Sequence, residues 1–208
     1  FQICDSTGAE PVLVVNFSFA RYGPGEDRVE QAAGYAANWV RYVNQTLDRN
    51  VRYWEIGNEN YGPWQAGYMV EGEQITGTMY GEIFRVFADS MKAADPTIHL
   101  GAVIYPLDED YDNWTAQVLP EVQNDADFLI VHDYFAWSPN ENNISYAEMM
   151  ASVSEVTEDA ASVRAMVSQY TGKSPDHFAL AFTEYNSNTG HRAVSYTHLR
   201  AHETSDYR

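Results

Sequence analysis

The sequence predicts an α/β fold, namely an incomplete (β/α)8 TIM barrel with about five of the eight parallel strands. Short apolar runs rich in β-branched residues alternate along the chain with segments whose apolar residues recur at helical spacing. The segments between the runs are long enough for the crossover connections that parallel strands require. Polar or ionisable residues follow almost every apolar run, as they do at the carboxyl ends of barrel strands.

The predicted strands are short apolar runs of the kind that a parallel sheet buries on both faces. The second run begins with β-branched and aromatic residues and stops at Gly57–Asn60, four residues that strands avoid. A carboxylate placed where a buried strand ends faces a cavity or another chain segment, and either setting changes its chemistry. The five predicted strands cover residues 12–17, 51–56, 98–104, 128–132 and 178–182.

Helices are predicted in the connections, where apolar residues recur at three- and four-residue spacing. The second helix ends before Pro96, because a proline ring clashes with the preceding turn. The last helix begins with a capping box of Ser145 and Glu148, and Gly172 can end it. The predicted helices cover about residues 26–47, a segment that ends before residue 96, residues 114–122 and residues 145–172.

A doubly wound sheet and a barrel both contain this alternation of strands and helices. A doubly wound sheet usually carries a glycine-rich phosphate loop after its first strand. The sequence NFSFARYGPG at residues 16–25 matches neither the dinucleotide-binding pattern nor the P-loop pattern, so we predict the barrel. Because a complete barrel has eight strands in about 250 residues, this 208-residue chain is expected to lack strands at both ends.

The chain is predicted to contain one domain, the partial barrel of residues 1–192, followed by an unstructured tail of residues 193–208. The tail has neither the apolar period of a helix nor a bounded strand, and it looks like translated adaptor or vector sequence. His191, His198 and His202 lie in or near this tail. A foreign tail accounts for them better than a metal site does, so no metal and no cofactor are predicted.

The composition restricts the class of partner. The formal net charge is −18, with 12 Lys and Arg against 30 Asp and Glu, which argues against nucleic acid and anionic membranes as partners. No apolar run approaches the roughly 18–20 residues of a membrane span. A neutral partner such as an oligosaccharide or polysaccharide is compatible with this charge.

Two glutamates occupy predicted strand ends, Glu59 after the second strand and Glu184 after the fifth. A single glutamate after a strand is often only the first solvated residue of a loop. In a barrel, however, both positions converge on the carboxyl-terminal face, where catalytic groups lie. Such a pair suits glycoside hydrolysis, in which one carboxyl protonates the leaving oxygen and the other, ionised, attacks the anomeric carbon.

Further polar and aromatic residues surround the predicted pair. His132 and Tyr134 are two residues apart, so both side chains can lie on one side of the strand end and reach a neighbouring carboxylate. Trp64 and Trp137 lie in loops, where an exposed ring can stack on a sugar. Asn16 follows the first strand at the same end of the predicted barrel.

The segments WEIGNENYG, HDYF and FTEYN together resemble the retaining glycoside hydrolases of clan A, most closely the α-L-arabinofuranosidases of family 51. The resemblance covers residues 1 to about 192 and implies that the visible strands are barrel strands three to seven. On this view strands one, two and eight are missing, and the chain alone is expected to be inactive. Tyr185 follows Glu184 where the family usually has tryptophan.

The resemblance also implies a role for each matching residue. Glu59 would be the acid/base and Glu184 the nucleophile of a double-displacement reaction. Asn58 would donate to the sugar 2-hydroxyl, and His132 and Tyr134 would position the catalytic carboxylates. Asn16 matches a less distinctive polar position at the end of strand three.

Other functions fit the same residues. A β-xylosidase, endoglucanase or agarase would use the same scaffold and the same carboxyl pair. A metal-dependent isomerase or lyase could hold a divalent cation with Glu59, His132, Asp133 and Glu184. A non-catalytic sugar-binding protein would need the aromatic loops but not the paired glutamates.

Overall fold

The computed structural model describes residues 1–135 and 145–187, which form an α/β half-barrel around an open five-stranded sheet. All neighbouring strands of this sheet pair in parallel, so the predicted fold class is confirmed. The predicted site residue Trp137 and the predicted tail of residues 193–208 lie outside the described residues. The strands are β1 (Val12–Val15), β2 (Tyr53–Ile56), β3 (Met69–Val70), β4 (Glu73–Gln74), β5 (His99–Val103), β6 (Phe128–Phe135) and β7 (Ala179–Ser187).

The order of strands in the main sheet is β1-β2-β5-β6-β7, with β3 and β4 forming a small separate antiparallel hairpin. Helices fill the connections, and none of the described helices is both long and apolar enough to span a bilayer. The helices are α1 (Gln2–Thr7), α2 (Phe19–Tyr22), α3 (Arg28–Arg41), α4 (Gly77–Ala94), α5 (Trp114–Val122), α6 (Tyr146–Ala151) and α7 (Glu155–Thr171); a π-helical turn, Tyr42–Thr46, extends α3.

The prediction of one continuous helix over residues 145–172 is wrong. The capping box of Ser145 and Glu148 begins α6, and Gly172 ends α7 in the left-handed conformation, but a 3-10 turn at Ser152–Ser154 separates the two helices. The Ser152 and Ser154 hydroxyls donate to the carbonyl oxygens three residues earlier, at 2.8 and 3.0 Å. Such local bonds compete with the helical pattern and bend the chain at this point.

The two faces of β2 have different surroundings. Trp54 is fully buried on the helix side, where it contacts Trp39 of α3 with ring centroids 5.5 Å apart. Tyr53 points to the opposite face and contacts Phe128 of β6 at 6.1 Å. Because side chains alternate along a strand, Glu55 lies on the same face as Tyr53, in the concave interior of the half-barrel.

Two edges of the sheet are open among the described residues. β1 pairs with β2 alone and β7 pairs with β6 alone. Val12 and Val14 of β1 are 41% and 43% exposed, although a parallel barrel normally covers such residues on both faces. The sheet therefore curves as part of a barrel without closing.

Candidate active site

The end of β2 turns sharply, and this turn places Glu59 above the carboxyl edge of the sheet. Gly57 has φ 91°, which is the left-handed region, and a Cβ atom there would lie 2.1 Å from Asn60 Oδ1. Glu59 itself has φ 42°, a conformation that residues other than glycine adopt uncommonly and that costs about 1–3 kcal/mol. The turn explains why the strand ends in Gly-Asn-Glu-Asn.

Three ionisable side chains meet at this edge. His132 Nδ1 lies 3.1 Å from Glu59 Oε1 and 3.6 Å from Glu184 Oε2. Ligand atoms of all three groups lie within 4.8 Å of one another, so a carboxyl oxygen of Glu59 and one of Glu184 are no farther apart than this. His132 is buried, with 4% of its side chain exposed, whereas the Glu184 side chain is 38% exposed.

A β-bulge between β6 and β7 brings Glu184 to His132. Val131 pairs with Phe182, but the next pair in register is His132 with Glu184, so Thr183 is an extra residue. The Thr183 hydroxyl lies 3.3 Å from His132 Nε2. Both ring nitrogens of His132 therefore have partners, the two carboxyl groups at Nδ1 and the Thr183 hydroxyl at Nε2.

Tyr134 contacts the same carboxyl oxygen of Glu184 that lies near His132. Its hydroxyl donates a 2.7 Å hydrogen bond to Glu184 Oε2. This bond, with smaller effects from burial and from the nearby carboxylates, raises the pKa of Tyr134 to about 12. Tyr134 therefore keeps its proton at neutral pH and donates it in this bond to Glu184.

Trp64 contacts Glu59 through its indole nitrogen. Trp64 Nε1 donates to Glu59 Oε2 at 2.6 Å, while more than half of the tryptophan surface remains exposed. Its ring also packs edge to face against Tyr61 and Tyr111, with centroids 6.4 and 6.1 Å apart. The sequence predicts the exposed ring but not the hydrogen bond, which depends on how the loop folds back.

A cleft of about 810 Å³ extends from Glu59 past His132 and Tyr134 toward α7. Asp159 lies at its far end, and burial, the largest effect, together with the neighbouring acids raises the pKa of Asp159 to about 6. Asp133 is buried, its Oδ2 atom has no hydrogen-bond partner among residues 1–135 and 145–187, and burial raises its pKa. The aromatic lining residues are Tyr61, Trp64, Tyr105, Tyr111 and Tyr134; the acidic ones are Glu59, Asp110, Asp133, Glu155, Glu158 and Asp159.

The two predicted asparagines lie at the same edge of the sheet but do not line this cleft. Asn16 follows β1, is exposed, and accepts the backbone N–H of Phe19 at 3.3 Å with its Oδ1 atom. Asn58 lies between Gly57 and Glu59 and is partly buried. Their predicted contacts with a sugar stay predictions.

Comparison with known proteins points to one family. The family described as "Alpha-L-arabinofuranosidase 1 domain" matches residues 1–142 of the chain. The chain is 33% identical over 101 residues to a probable α-L-arabinofuranosidase C of Aspergillus flavus, covering 47% of this chain and 19% of that protein. It is 27% identical over 190 residues to an intracellular exo-α-(1→5)-L-arabinofuranosidase of Streptomyces lividans, covering 86% of this chain and 27% of that protein.

The solved structures agree with the sequence comparisons. The arabinose complex of the α-L-arabinofuranosidase from Thermotoga maritima is 26% identical and superposes with a TM-score of 0.63. The similarity covers 89% of this chain and 36% of the Thermotoga protein. The chain thus spans only about a fifth to a third of the length of the proteins it matches.

Proposed function

The chain belongs to the α-L-arabinofuranosidase 1 domain family of glycoside hydrolases, and on this premise we propose that it carries the catalytic pair of a retaining enzyme. The observation that supports a retaining mechanism is the separation of the two glutamates. Retaining glycosidases hold their carboxyl groups about 5–5.5 Å apart, whereas inverting enzymes need about 6.5–9.5 Å to admit a water molecule. An oxygen of Glu59 lies within 4.8 Å of an oxygen of Glu184.

In the proposed reaction Glu184 is the nucleophile. Its Oε2 atom accepts a 2.7 Å hydrogen bond from the Tyr134 hydroxyl, which orients the carboxyl group for attack. A Glu184 oxygen bonds to the anomeric carbon as the bond to the leaving oxygen breaks, and the leaving oxygen takes a proton from Glu59. The product of this step is a glycosyl ester of Glu184.

In the second step Glu59, now ionised, accepts a proton from water. The water oxygen attacks the anomeric carbon and displaces Glu184 as a carboxylate, which restores both groups. His132 lies between the two carboxyls and can hydrogen-bond either of them, at 3.1 and 3.6 Å. We assign His132 the positioning of both carboxyl groups.

The substrate is proposed to be an α-L-arabinofuranoside at the end of a plant or algal polysaccharide chain. The names of the matched proteins support this choice, since they are α-L-arabinofuranosidases. Trp64 and Trp137 are proposed to stack on the sugar, and Asn58 and Asn16 to hydrogen-bond it. The Asn16 amide oxygen is already bound to Phe19, which leaves its NH2 group for the substrate.

We further propose that this chain is the middle portion of a longer barrel and is inactive alone. The exposed valines of β1 and the short coverage of the matched proteins support this view. Without the neighbouring strands, water reaches the nucleophile side of the site and weakens electrostatic stabilisation of the transition state.

A panel of nitrophenyl glycosides tests the choice of substrate. The protein encoded by the longer reading frame that contains this sequence is compared with the 208-residue chain. Hydrolysis of the α-L-arabinofuranoside by the longer protein alone is expected. An inert arabinofuranoside beside a hydrolysed β-xyloside would contradict the substrate assignment. Turnover by the 208-residue chain would contradict its proposed inactivity.

Substitution of each glutamate in the longer protein tests the roles. Glu184→Ala should nearly abolish turnover and be rescued by azide with an azido sugar of inverted configuration. Glu59→Ala should spare substrates with good leaving groups, because they need no proton from the enzyme. Equal losses without rescue at both positions would contradict the assignment.

A metal-dependent isomerase or lyase is the second candidate, because Glu59, His132 and Glu184 present ligand atoms within 4.8 Å of one another. Carboxylate oxygens and imidazole could hold a divalent cation in this arrangement. Dialysis of the longer protein against a chelator separates the two functions. Activity that is lost and then restored by added metal would favour this candidate over the glycosidase.

A further inference from the structure

The cleft lies on one side of the proposed catalytic pair. It begins at Glu59 and passes His132, but Glu184 is not among the residues that line it. Its volume of about 810 Å³ is in the upper part of the range of about 300–1,000 Å³ that ligand clefts usually have. Because Glu59 is the proposed proton donor to the leaving oxygen, the leaving group is the part of the substrate that this cleft can receive.

The near part of the cleft has an aromatic wall. Tyr61, Tyr105 and Tyr111 contact one another with ring centroids 5.0, 4.8 and 4.7 Å apart, and Trp64 packs against Tyr111 at 6.1 Å. These contacts hold the rings in place, while more than half of the Trp64 surface stays exposed. An exposed ring of this kind gives the apolar face of a sugar a surface on which to stack.

The far end of the cleft is acidic. Asp110 comes from the loop after β5, Asp133 from β6, and Glu155, Glu158 and Asp159 from α7. The three helix residues are three and four positions apart, so they share one face of α7. None of the five acids forms an ion pair with a Lys, Arg or His of the described residues. No Lys or Arg is among the described residues that line the cleft.

Asp133 provides a second, independent observation at this end of the cleft. Its residue surface is only 5% exposed, and its Oδ2 atom has no hydrogen-bond partner within residues 1–135 and 145–187. A buried acceptor without a donor is costly. Sugar hydroxyls are donors that a carboxyl oxygen accepts. The far end therefore offers acceptors to a group with many hydroxyls, but no described Lys or Arg to an anionic group.

We propose that the cleft is a subsite for the leaving group that takes an uncharged sugar unit and excludes a uronic acid. This subsite rests on the proposed glycosidase function and narrows its substrate to an arabinofuranosyl unit attached to a neutral sugar. A carboxylate on the leaving group would lie among carboxylates, and like charges that meet across an interface suppress binding of the wrong partner. A hydroxymethyl group at the same position donates to these acids instead.

Three substrates separate charge from shape. Each carries one terminal α-L-arabinofuranosyl unit on a hexose, whose C6 is a hydroxymethyl group, a carboxylate or the methyl ester of that carboxylate. The longer protein is assayed at pH 7, above the pKa of about 6 of Asp159, and at about 10 mM salt. The carboxylate should have a kcat/KM at least about 10-fold below that of the alcohol, mainly through KM, and the neutral ester should resemble the alcohol.

Salt provides a second control on the same three substrates. The Debye length falls from about 30 Å at 0.01 M to about 3 Å at 1 M ionic strength. The discrimination against the carboxylate should therefore narrow to less than about 3-fold at 1 M salt. A carboxylate hydrolysed as well as the alcohol at low salt, or an ester as poor as the carboxylate, would overturn the exclusion of charge and leave the glycosidase function intact.

Glu158 and Glu82 provide matched variants. Both residues are exposed, but Glu158 lines the cleft, whereas Glu82 lies on α4 outside it. Glu158→Lys should raise kcat/KM for the carboxylate about 4-fold relative to the alcohol, as expected for two units of charge about 10 Å away in water. Glu82→Lys changes the net charge equally and should leave this ratio within about 2-fold of wild type. Equal effects of both variants would overturn the subsite.

Binding of the leaving groups alone separates the subsite from the proposed function. The neutral and the carboxylate sugars without the arabinofuranosyl unit are titrated against the longer protein, and the part of the fluorescence change that is lost in Trp64→Phe reports binding in the cleft. The neutral sugar should bind more tightly. Such a preference in a protein that hydrolyses none of the arabinofuranosides would support the subsite and overturn the proposed function. Equal binding of the two sugars at low salt would overturn the subsite.

Discussion

Tyr80 of α4 contacts the strand that precedes Glu59, and removal of its hydroxyl measures how much this contact contributes to stability. The ring is fully buried in α4, and the hydroxyl donates to Ile56 O at 2.7 Å while accepting from Val103 N at 2.9 Å. These bonds join the carboxyl ends of β2 and β5, one residue before the Gly57 turn that presents Glu59. Tyr80→Phe removes both bonds without changing the shape of the ring.

The expected loss follows from the two backbone groups that Tyr80→Phe leaves unpaired. Each buried unpaired group costs about 1–3 kcal/mol, so the variant should lose roughly 2–6 kcal/mol of the free energy of unfolding. With a urea slope of about 1–3 kcal/mol per molar, the unfolding midpoint should fall by on the order of 1–2 M.

Urea unfolding of the 208-residue chain, followed by tryptophan fluorescence, measures this shift. Tyr35→Phe is the control, because the Tyr35 side chain is 62% exposed and the substitution removes only a solvated hydroxyl. A Tyr80→Phe midpoint within about 0.3 M of wild type would show that the two bonds contribute less than buried bonds of this kind normally do. The reasoning that ties β2 to β5 through α4 would then be refuted.

Four other substitutions have expected outcomes. Asp159→Asn should raise the free energy of unfolding at pH 7 by about 1 kcal/mol after allowance for solvent screening. The pKa of Asp159 in the folded protein, about 6, exceeds the ordinary value of 3.8, so the wild type loses stability as pH rises through 6. Unfolding measured at several pH values should show the difference between variant and wild type vanish below about pH 4. Gly57→Ala should destabilise the chain by more than about 2 kcal/mol, because residue 57 has a φ of 91° and the added Cβ would meet Asn60 Oδ1. The control Gly34→Ala adds a Cβ in open space on α3 and should stabilise the chain by about 0.5–1 kcal/mol. Thermal unfolding of both variants measures the difference. Tyr134→Phe in the longer protein should lower kcat about 10-fold, because it removes a charge-assisted hydrogen bond to Glu184. Steady-state kinetics on an aryl arabinofuranoside measures this, and an unchanged kcat would contradict the prediction.

The strands were predictable because their signal is local. Each of the five runs overlaps a strand of the main sheet, but the ends differ: β6 (Phe128–Phe135) and β7 (Ala179–Ser187) continue beyond the predicted runs 128–132 and 178–182. The capping box of Ser145 was also predictable, because it needs only four consecutive residues. The break at Ser152–Ser154 could not be predicted, because the spacing of apolar residues does not show that serine hydroxyls will hydrogen-bond the preceding turn.

The site was predictable only in part. The ends of strands can be read from the sequence, and they predict Glu59, His132, Tyr134 and Glu184 as residues of the candidate site. The acidic end of the cleft could not be predicted, because Asp159 belongs to the helix that follows β6 in sequence and reaches the site through packing alone. Spacing in the sequence carries no information about which helix residue faces a cleft.

The bulge at Thr183 shows why one extra residue matters for the chemistry of this site. With regular pairing, Val131 opposite Phe182 would put His132 opposite Thr183 and leave Glu184 opposite Asp133. The carboxyl group would then face the helix side of the sheet, away from Glu59. The inserted residue moves Glu184 into register with His132 and at the same time places a hydroxyl 3.3 Å from His132 Nε2. A single irregularity therefore positions the proposed nucleophile. Deletion of Thr183 should remove the bulge and the hydroxyl but leave Glu184 opposite His132, because Phe182 and Glu184 then pair regularly with Val131 and His132.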